Sequence, residues 1–185
     1  MNQEEAISYL KGITRSIENY PKKGIVFRDL TTIFQDAKAL SLSLDLMTGF
    51  LRDKNSSMLK FDKLAGIEAR GFLLAGAISG RIGGGVIMMR KPGKLPYKKR
   101  RIEYQLEYGE DALEVHDDSI KQGEKVVLID DLLATGGTAE AGCKLVEELG
   151  GVVIKVLFLV ELPDLEGRKR LSRYDVESVF SFEGK

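Results

Sequence analysis

The chain has little of what several function classes require. It contains one cysteine, Cys143, and one histidine, His116, in 185 residues. A single thiol excludes a disulfide within the chain, and one residue of each kind leaves no Cys/His zinc cluster. Cys143 therefore reads as core, and His116 as structural. Lysine plus arginine and aspartate plus glutamate both number 28, so no global positive field draws nucleic acid or an anionic membrane surface. Any positive site is local. No apolar run approaches the roughly 20 residues of a membrane span. The opening Met1-Asn2-Gln3-Glu4-Glu5 has no basic segment leading into an apolar one. These absences predict a cytoplasmic protein of one domain, large enough for a sizeable core. Phosphate-binding loops of the G-x-x-x-x-G-K-S/T kind are missing as well. Gly83-Gly84-Gly85 does not complete a G-x-G-x-x-G fingerprint, because position 88 is Met.

What is present concentrates in Val126-Val127-Leu128-Ile129-Asp130-Asp131-Leu132-Leu133-Ala134-Thr135-Gly136-Gly137-Thr138. Four apolar residues, three of them β-branched, predict a buried strand that ends at two adjacent carboxylates. A small-residue turn follows, then a helical pattern through Ala139, Cys143, Leu145, Val146 and Leu149. Strand, turn and helix N-terminus in that order aim backbone N–H groups at an anion. Gly136 and Gly137 remove side chains that would hold a phosphate off the backbone, and Thr135 and Thr138 add hydroxyl donors. An anion cradle beside an acidic pair suits a ligand with a phosphate at one end and hydroxyls beyond it, such as a ribose 5-phosphate.

Around this stretch the pattern alternates. Helices are expected over 4–19 (Ala6, Ile7, Leu10, Ile13, Ile17) and 37–54, and buried strands over Lys63–Ile67, Gly85–Met89 and Val152–Val160. A helix starting near Phe72, a short basic helix over 165–173 and a strand over 176–182 complete the list. Buried apolar strands alternating with helices indicate an α/β fold, a single domain with a mostly parallel sheet flanked by helices. Arg70 precedes a helix N-terminus, and Arg90, Lys91 and Lys94 follow a strand end, where ligands of open α/β sheets bind. Residues 94–107 are long for a loop and have room for a short hairpin, which favours a functional, mobile element. The run Lys98, Lys99, Arg100, Arg101 reads as a solvated face.

The Asp-Asp and Ala-Thr-Gly-Gly-Thr wording resembles the phosphoribosyl-pyrophosphate (PRPP) signature of the type I phosphoribosyltransferase family, and Leu-Leu-Ala-Thr-Gly-Gly-Thr its adenine-specific branch. The likeness extends from Pro21 to Leu162. It implies that Asp130 and Asp131 hold the ribose hydroxyls, directly or through Mg2+ bound mainly by the substrate, and that Ala134, Thr135, Gly136, Gly137 and Thr138 hold the 5-phosphate. Arg70, Arg90, Lys91 and Lys94 are implied for pyrophosphate, with a cis peptide at Glu68–Ala69. Residues 1–35 become a hood over the base, where the main chains of Val26 and Arg28 read the adenine edge and Phe27 packs on the ring; Leu162 closes the far side. In 6-oxopurine members an Asp stands where this chain has Ala134, so the purine proton falls to Glu107 in Tyr104-Gln105-Leu106-Glu107-Tyr108-Gly109, with Tyr108 covering the site. Glu107 serves as an acid at neutral pH only if desolvation raises its pKa from near 4.3. A homodimer is implied too. The rivals are a transferase for another nucleobase and a non-catalytic PRPP-sensing regulator on the same fold.

Overall fold

The computed structural model describes residues 1–105 and 109–183. The chain opens with helix α1 (Gln3–Ile13), started by a capping box in which Asn2 and Glu5 satisfy each other's backbone N–H groups. Helix α1 is shorter than its sequence pattern. It stops at Thr14, whose Oγ1 bonds back to the Leu10 carbonyl at 2.8 Å, and the chain turns extended. Ile17, the last residue of the helical pattern, lies instead in strand β1 (Arg15–Glu18) and is exposed. Strand β2 (Val26–Asp29) pairs antiparallel with β1, Ile17 opposite Phe27.

A short α2 (Thr31–Gln35) leads to α3 (Ala37–Gly49), capped by the Asp36 side chain. Then come β3 (Lys63–Ile67), α4 (Arg70–Ile82) and β4 (Gly85–Met89). An antiparallel hairpin, β5 (Lys99–Gln105) and β6 (Glu110–His116), occupies the long segment after β4. The chain closes with β7 (Lys125–Leu133), α5 (Gly137–Glu148), β8 (Val152–Glu161), a one-turn 3-10 helix over Pro163–Leu165, α6 (Gly167–Arg170) and β9 (Val176–Ser181).

Five strands form one parallel sheet in the order β4-β3-β7-β8-β9. Alternate residues of its central strands feed two cores. Ala65, Val126, Leu128, Val156 and Phe158 face α5 and the hairpin; Leu64, Val127, Ile129, Leu157 and Leu159 face α1, α3 and α4. Both faces are covered, which is why these strands read as unbroken apolar runs. Strand β7 continues through Asp130 and Asp131, where the sequence pattern had it end. Leu132 and Leu133 still pair with Val160 and Glu161, so neighbouring β8, not the apolar run, decides its length.

Candidate active site

Every segment singled out for ligand binding, apart from the hood and the hairpin, leaves the C-terminal edge of this sheet. Glu68–Gly71 follows β3, Arg90–Lys94 follows β4, Ala134–Thr138 follows β7 and Leu162 follows β8. In open parallel sheets this edge gathers helix N-termini and loops around a ligand.

The phosphate turn is a concavity of about 140 Å³ lined by Asp130, Leu132, Leu133, Ala134 to Ala139 and Phe158. Gly136 is left-handed (φ 79°) and caps α5, a conformation that L side chains rarely adopt. The glycines answer to protein neighbours as well as to a phosphate. A Cβ on Gly136 would stand 2.8 Å from the Gly167 carbonyl oxygen, and one on Gly137 would stand 2.7 Å from an Arg170 nitrogen and 3.0 Å from the Gln105 carbonyl. The reciprocal contact is tighter: a Cβ on Gly167 would stand 2.3 Å from the Ala134 carbonyl oxygen. Bare backbone of α6 therefore supports the underside of the turn. Gly167 escaped the sequence reading; its one signal was a glycine at the start of the short basic segment.

The two carboxylates differ. Asp131 is buried and ion-paired with Arg70 Nε. Asp130 lines the concavity and accepts the Asp131 N–H at 2.9 Å. Burial and the neighbouring Asp131 carboxylate push the Asp130 carboxyl well above the usual range, with Arg70 opposing more weakly. Burial works against the Arg70 guanidinium, but Asp131 outweighs it and the net shift is upward. Arg70 also feels Asp29 of the hood, which Thr31 holds below its ordinary value through bonds of 2.7 and 3.0 Å. Close approach of α4 to β7 needs Gly71, since a Cβ there would stand 2.7 Å from the Ile129 carbonyl.

Glu68 is the second residue that the sequence left without a role. The Glu68–Ala69 peptide is cis, as the resemblance implies. Its carboxylate accepts the Lys91 N–H at 2.8 Å and Arg90 Nε at 3.1 Å, and Lys94 Nζ lies 3.9 Å away. Burial raises the Glu68 pKa; the Lys91 N–H and Arg90 outweigh it and hold the group below its usual range. Arg90 and Lys94 thus gather at one point beside the end of β3. Lys91 does not join them. Its side chain turns to the hairpin, where Nζ donates to Tyr104 Oη at 2.6 Å and pairs with Asp111.

In the hood, Phe27 is exposed and meets Tyr20 edge-on at 5.3 Å. Arg28 Nη1 donates to Ser16 Oγ, and the guanidinium lies over the Phe182 ring at 4.3 Å. Its Nε is buried without a hydrogen-bond partner. Leu162 donates its N–H to the Leu133 carbonyl at 2.9 Å, which ties the β8 exit to the phosphate turn. Glu107 and Tyr108 lie outside the described residues. Three members of the charge run find partners on the protein: Lys99 with Glu114 (2.7 Å), Arg100 with Asp117 (3.5 Å) and Arg101 with Glu103 (3.0 Å). Cys143 is fully buried, and burial pushes its thiol up to about 12, which suits a core residue and no nucleophile. His116 meets Tyr97 edge-on and leaves Nε2 buried without a partner.

A sheet edge carrying an anion cradle, an acidic pair and a cationic loop defines a phosphoribosyl-transferring class, and the chain belongs to the phosphoribosyl transferase family: the family's domain model matches residues 37–184. Within that family its relatives are adenine phosphoribosyltransferases. That of Cereibacter sphaeroides is 51% identical over 172 residues, covering 92% of this chain and 94% of the relative. That of Clostridium botulinum is 50% identical over 173 residues, covering 94% and 98%. Among solved structures, the enzyme of Thermoanaerobacter pseudethanolicus matches with TM-score 0.89 at 46% identity, covering 98% of this chain and all (100%) of that one. The Saccharomyces cerevisiae enzyme, solved with adenine and an imino-altritol bisphosphate, matches with TM-score 0.89 at 32% identity over 95% and 99% of the two chains.

Proposed function

We propose that the chain transfers the phosphoribosyl group of PRPP to adenine, giving AMP and pyrophosphate, a step of purine salvage. One observation carries the reading: a phosphate turn, an acidic pair and a loop with converging cations share one sheet edge, beside a hood with an exposed aromatic ring. In this reaction purine N9 bonds to C1′ as the C1′–O bond breaks, and pyrophosphate departs with the bonding electrons. The sugar passes through an oxocarbenium-like state, as in glycoside chemistry. The protein's work is to hold the sugar, neutralise the leaving group and exclude water.

Each residue then has a task. Ala134, Thr135, Gly136, Gly137 and Thr138 hold the 5-phosphate, with the N-terminus of the 12-residue helix α5 behind it. Asp130 and Asp131 hold the ribose hydroxyls, Asp131 oriented by Arg70. Arg70, Arg90 and Lys94 receive the pyrophosphate. Phe27 packs on adenine, the Val26 and Arg28 main chains read its edge, and Leu162 closes the pocket. Adenine's N9 proton must leave, and Glu107 manages it, with Tyr108 as cover.

Charge supports a role for Mg2+. Arg70, Arg90, Lys91 and Lys94 each face a carboxylate of the protein, Asp131, Glu68 or Asp111, so much of the positive charge that would meet PRPP is already partnered. The ion would be carried in mainly by the substrate, with Asp130 and Asp131 as the carboxylates nearest to hold it. The bound ion supplies charge neutralisation at the pyrophosphate and orients the hydroxyls beside it. A homodimer is part of the reading. Leu73 of α4 and Val86 and Met88 of β4 are large apolar side chains 59%, 43% and 52% exposed, on the two elements that carry Arg70 and lead to Arg90. No helix among the described residues is long and apolar enough to cross a membrane, and one unpaired thiol suits the reducing cytoplasm.

Replacing Glu107 by Ala tests the proton assignment. The expected loss is about 10²–10⁴-fold in kcat with PRPP affinity retained. Equal losses in both would make Glu107 structural.

A further inference from the structure

Lys91 stands at a junction. Its backbone N–H belongs to the leaving-group loop, donating to Glu68 at 2.8 Å. Its side chain belongs to the hairpin: Nζ bonds Tyr104 Oη at 2.6 Å and pairs with Asp111, and Tyr104 Oη in turn donates to Asp111 Oδ2 at 3.1 Å. The three groups close a triangle in which two of the three ammonium donors are spent. Tyr104 and Asp111 face each other across the hairpin ladder, so the triangle grips both strands at one rung. Tyr104 is 9% exposed and its ring belongs to the core beneath α5, which anchors the triangle to the body of the protein.

The charges nearby give the side chain no other duty. Arg90 and Lys94 answer to Glu68, and Lys99 answers to Glu114 on the other side of the hairpin. Lys91 is raised and Asp111 lowered from their ordinary values: burial opposes ionisation of each, and their mutual bond outweighs it. Arg70 and Arg90 meet their carboxylates through Nε, which leaves the terminal guanidinium nitrogens for pyrophosphate, whereas Lys91 has given two of its three ammonium donors to the hairpin. A strand pair bonded to the leaving-group loop in this way fixes the hairpin relative to the scissile bond.

We propose that Lys91, Tyr104 and Asp111 form a latch that sets the β5–β6 hairpin against the leaving-group loop, so that Lys91 is a positioning residue for transfer and not a pyrophosphate ligand. The inference rests on the phosphoribosyl-transfer reading, because its readout is the rate of that transfer. Misplacing a reacting group by about 1 Å costs up to ~100-fold in rate. Loss of the latch therefore slows the chemical step while leaving-group affinity stays with Arg70, Arg90 and Lys94.

The test uses Lys91→Met, Asp111→Asn and the double variant in the full chain, with Tyr104→Phe as a milder probe that removes only the hydroxyl. Two quantities are read: the single-turnover rate of AMP formation, and the affinity for inorganic pyrophosphate with MgCl2 by calorimetry. The latch predicts that Lys91→Met and Asp111→Asn each slow the single turnover by roughly tenfold, and that the double variant is no slower than the worse of the two, since they break one unit. Pyrophosphate affinity stays within about twofold, as a contact that acts on the transition state alone requires. Should Lys91→Met instead weaken pyrophosphate tenfold or more while Asp111→Asn leaves the rate unchanged, Lys91 is a pyrophosphate ligand and the latch is wrong. Unchanged rates in all three single variants overturn it equally. Absence of AMP with the unaltered protein is a separate outcome, and it removes the transfer reading before the latch is reached.

Discussion

Asp130 carries a conflict, a carboxyl buried beside a second carboxylate. Its carboxyl is pushed upward by burial and by Asp131, and its one described bond comes from the Asp131 N–H. A raised folded-state value means that the native protein binds this proton more tightly than the unfolded chain does. The stabilising contribution is therefore complete below the ordinary carboxylate range and is lost as pH rises through the raised value. On the proposed reading, ribose hydroxyls and a substrate-borne Mg2+ would offset the cost of ionising this carboxyl. Asp130→Asn should raise the stability of the ligand-free protein at neutral pH by about 1 kcal/mol, the scale of single stabilising changes at functional sites, and should abolish PRPP binding. Thermal melts with and without PRPP and MgCl2 read both effects at once. A destabilised variant that still binds PRPP would mean that Asp130 is a structural residue.

At the scale of elements, the parts legible in the sequence were those set by neighbours along the chain. The strands β3 and β4, the phosphate turn and helix α5 follow from local periodicity and from glycine next to hydroxyl residues. What stayed illegible depends on contacts across the fold. Helix α1 stops where the Thr14 hydroxyl takes the Leu10 carbonyl, a choice that the spacing of Ile13 and Ile17 conceals. Strand β7 runs past its apolar residues because β8 offers partners to Leu132 and Leu133. Glu68 finds Arg90 at a separation of 22 residues, and Gly136 meets Gly167 across α5 and β8. That last contact sets α6 against the turn proposed to hold the phosphate, although none of its side chains lines the concavity. Gly167→Ala puts a methyl 2.3 Å from the Ala134 carbonyl and 2.7 Å from a Leu133 methyl. The expected result is a loss of about 1–3 kcal/mol of stability, as for other overpacked sites, with PRPP affinity falling more than adenine affinity. Calorimetric titration with each ligand separates the two; equal affinities to the parent protein would leave α6 outside the site.

On the scale of the whole molecule, the sheet brings four loops to one edge and buries both faces of its central strands, so the site is built on rigid strands. The segments proposed for pyrophosphate and phosphate lie along that edge, and the hood approaches it through Asp29, whose charge reaches Arg70. On the proposed reading, base choice rests on a few residues of the hood and on Ala134, where the resemblance implies that a 6-oxopurine enzyme carries a carboxylate. The most direct test is therefore turnover: AMP formation from adenine and PRPP with MgCl2, with hypoxanthine, guanine and xanthine run in parallel. The account predicts rapid, stoichiometric AMP and pyrophosphate from adenine and little product from the other three bases. No turnover with adenine alongside clear turnover with another base would contradict it.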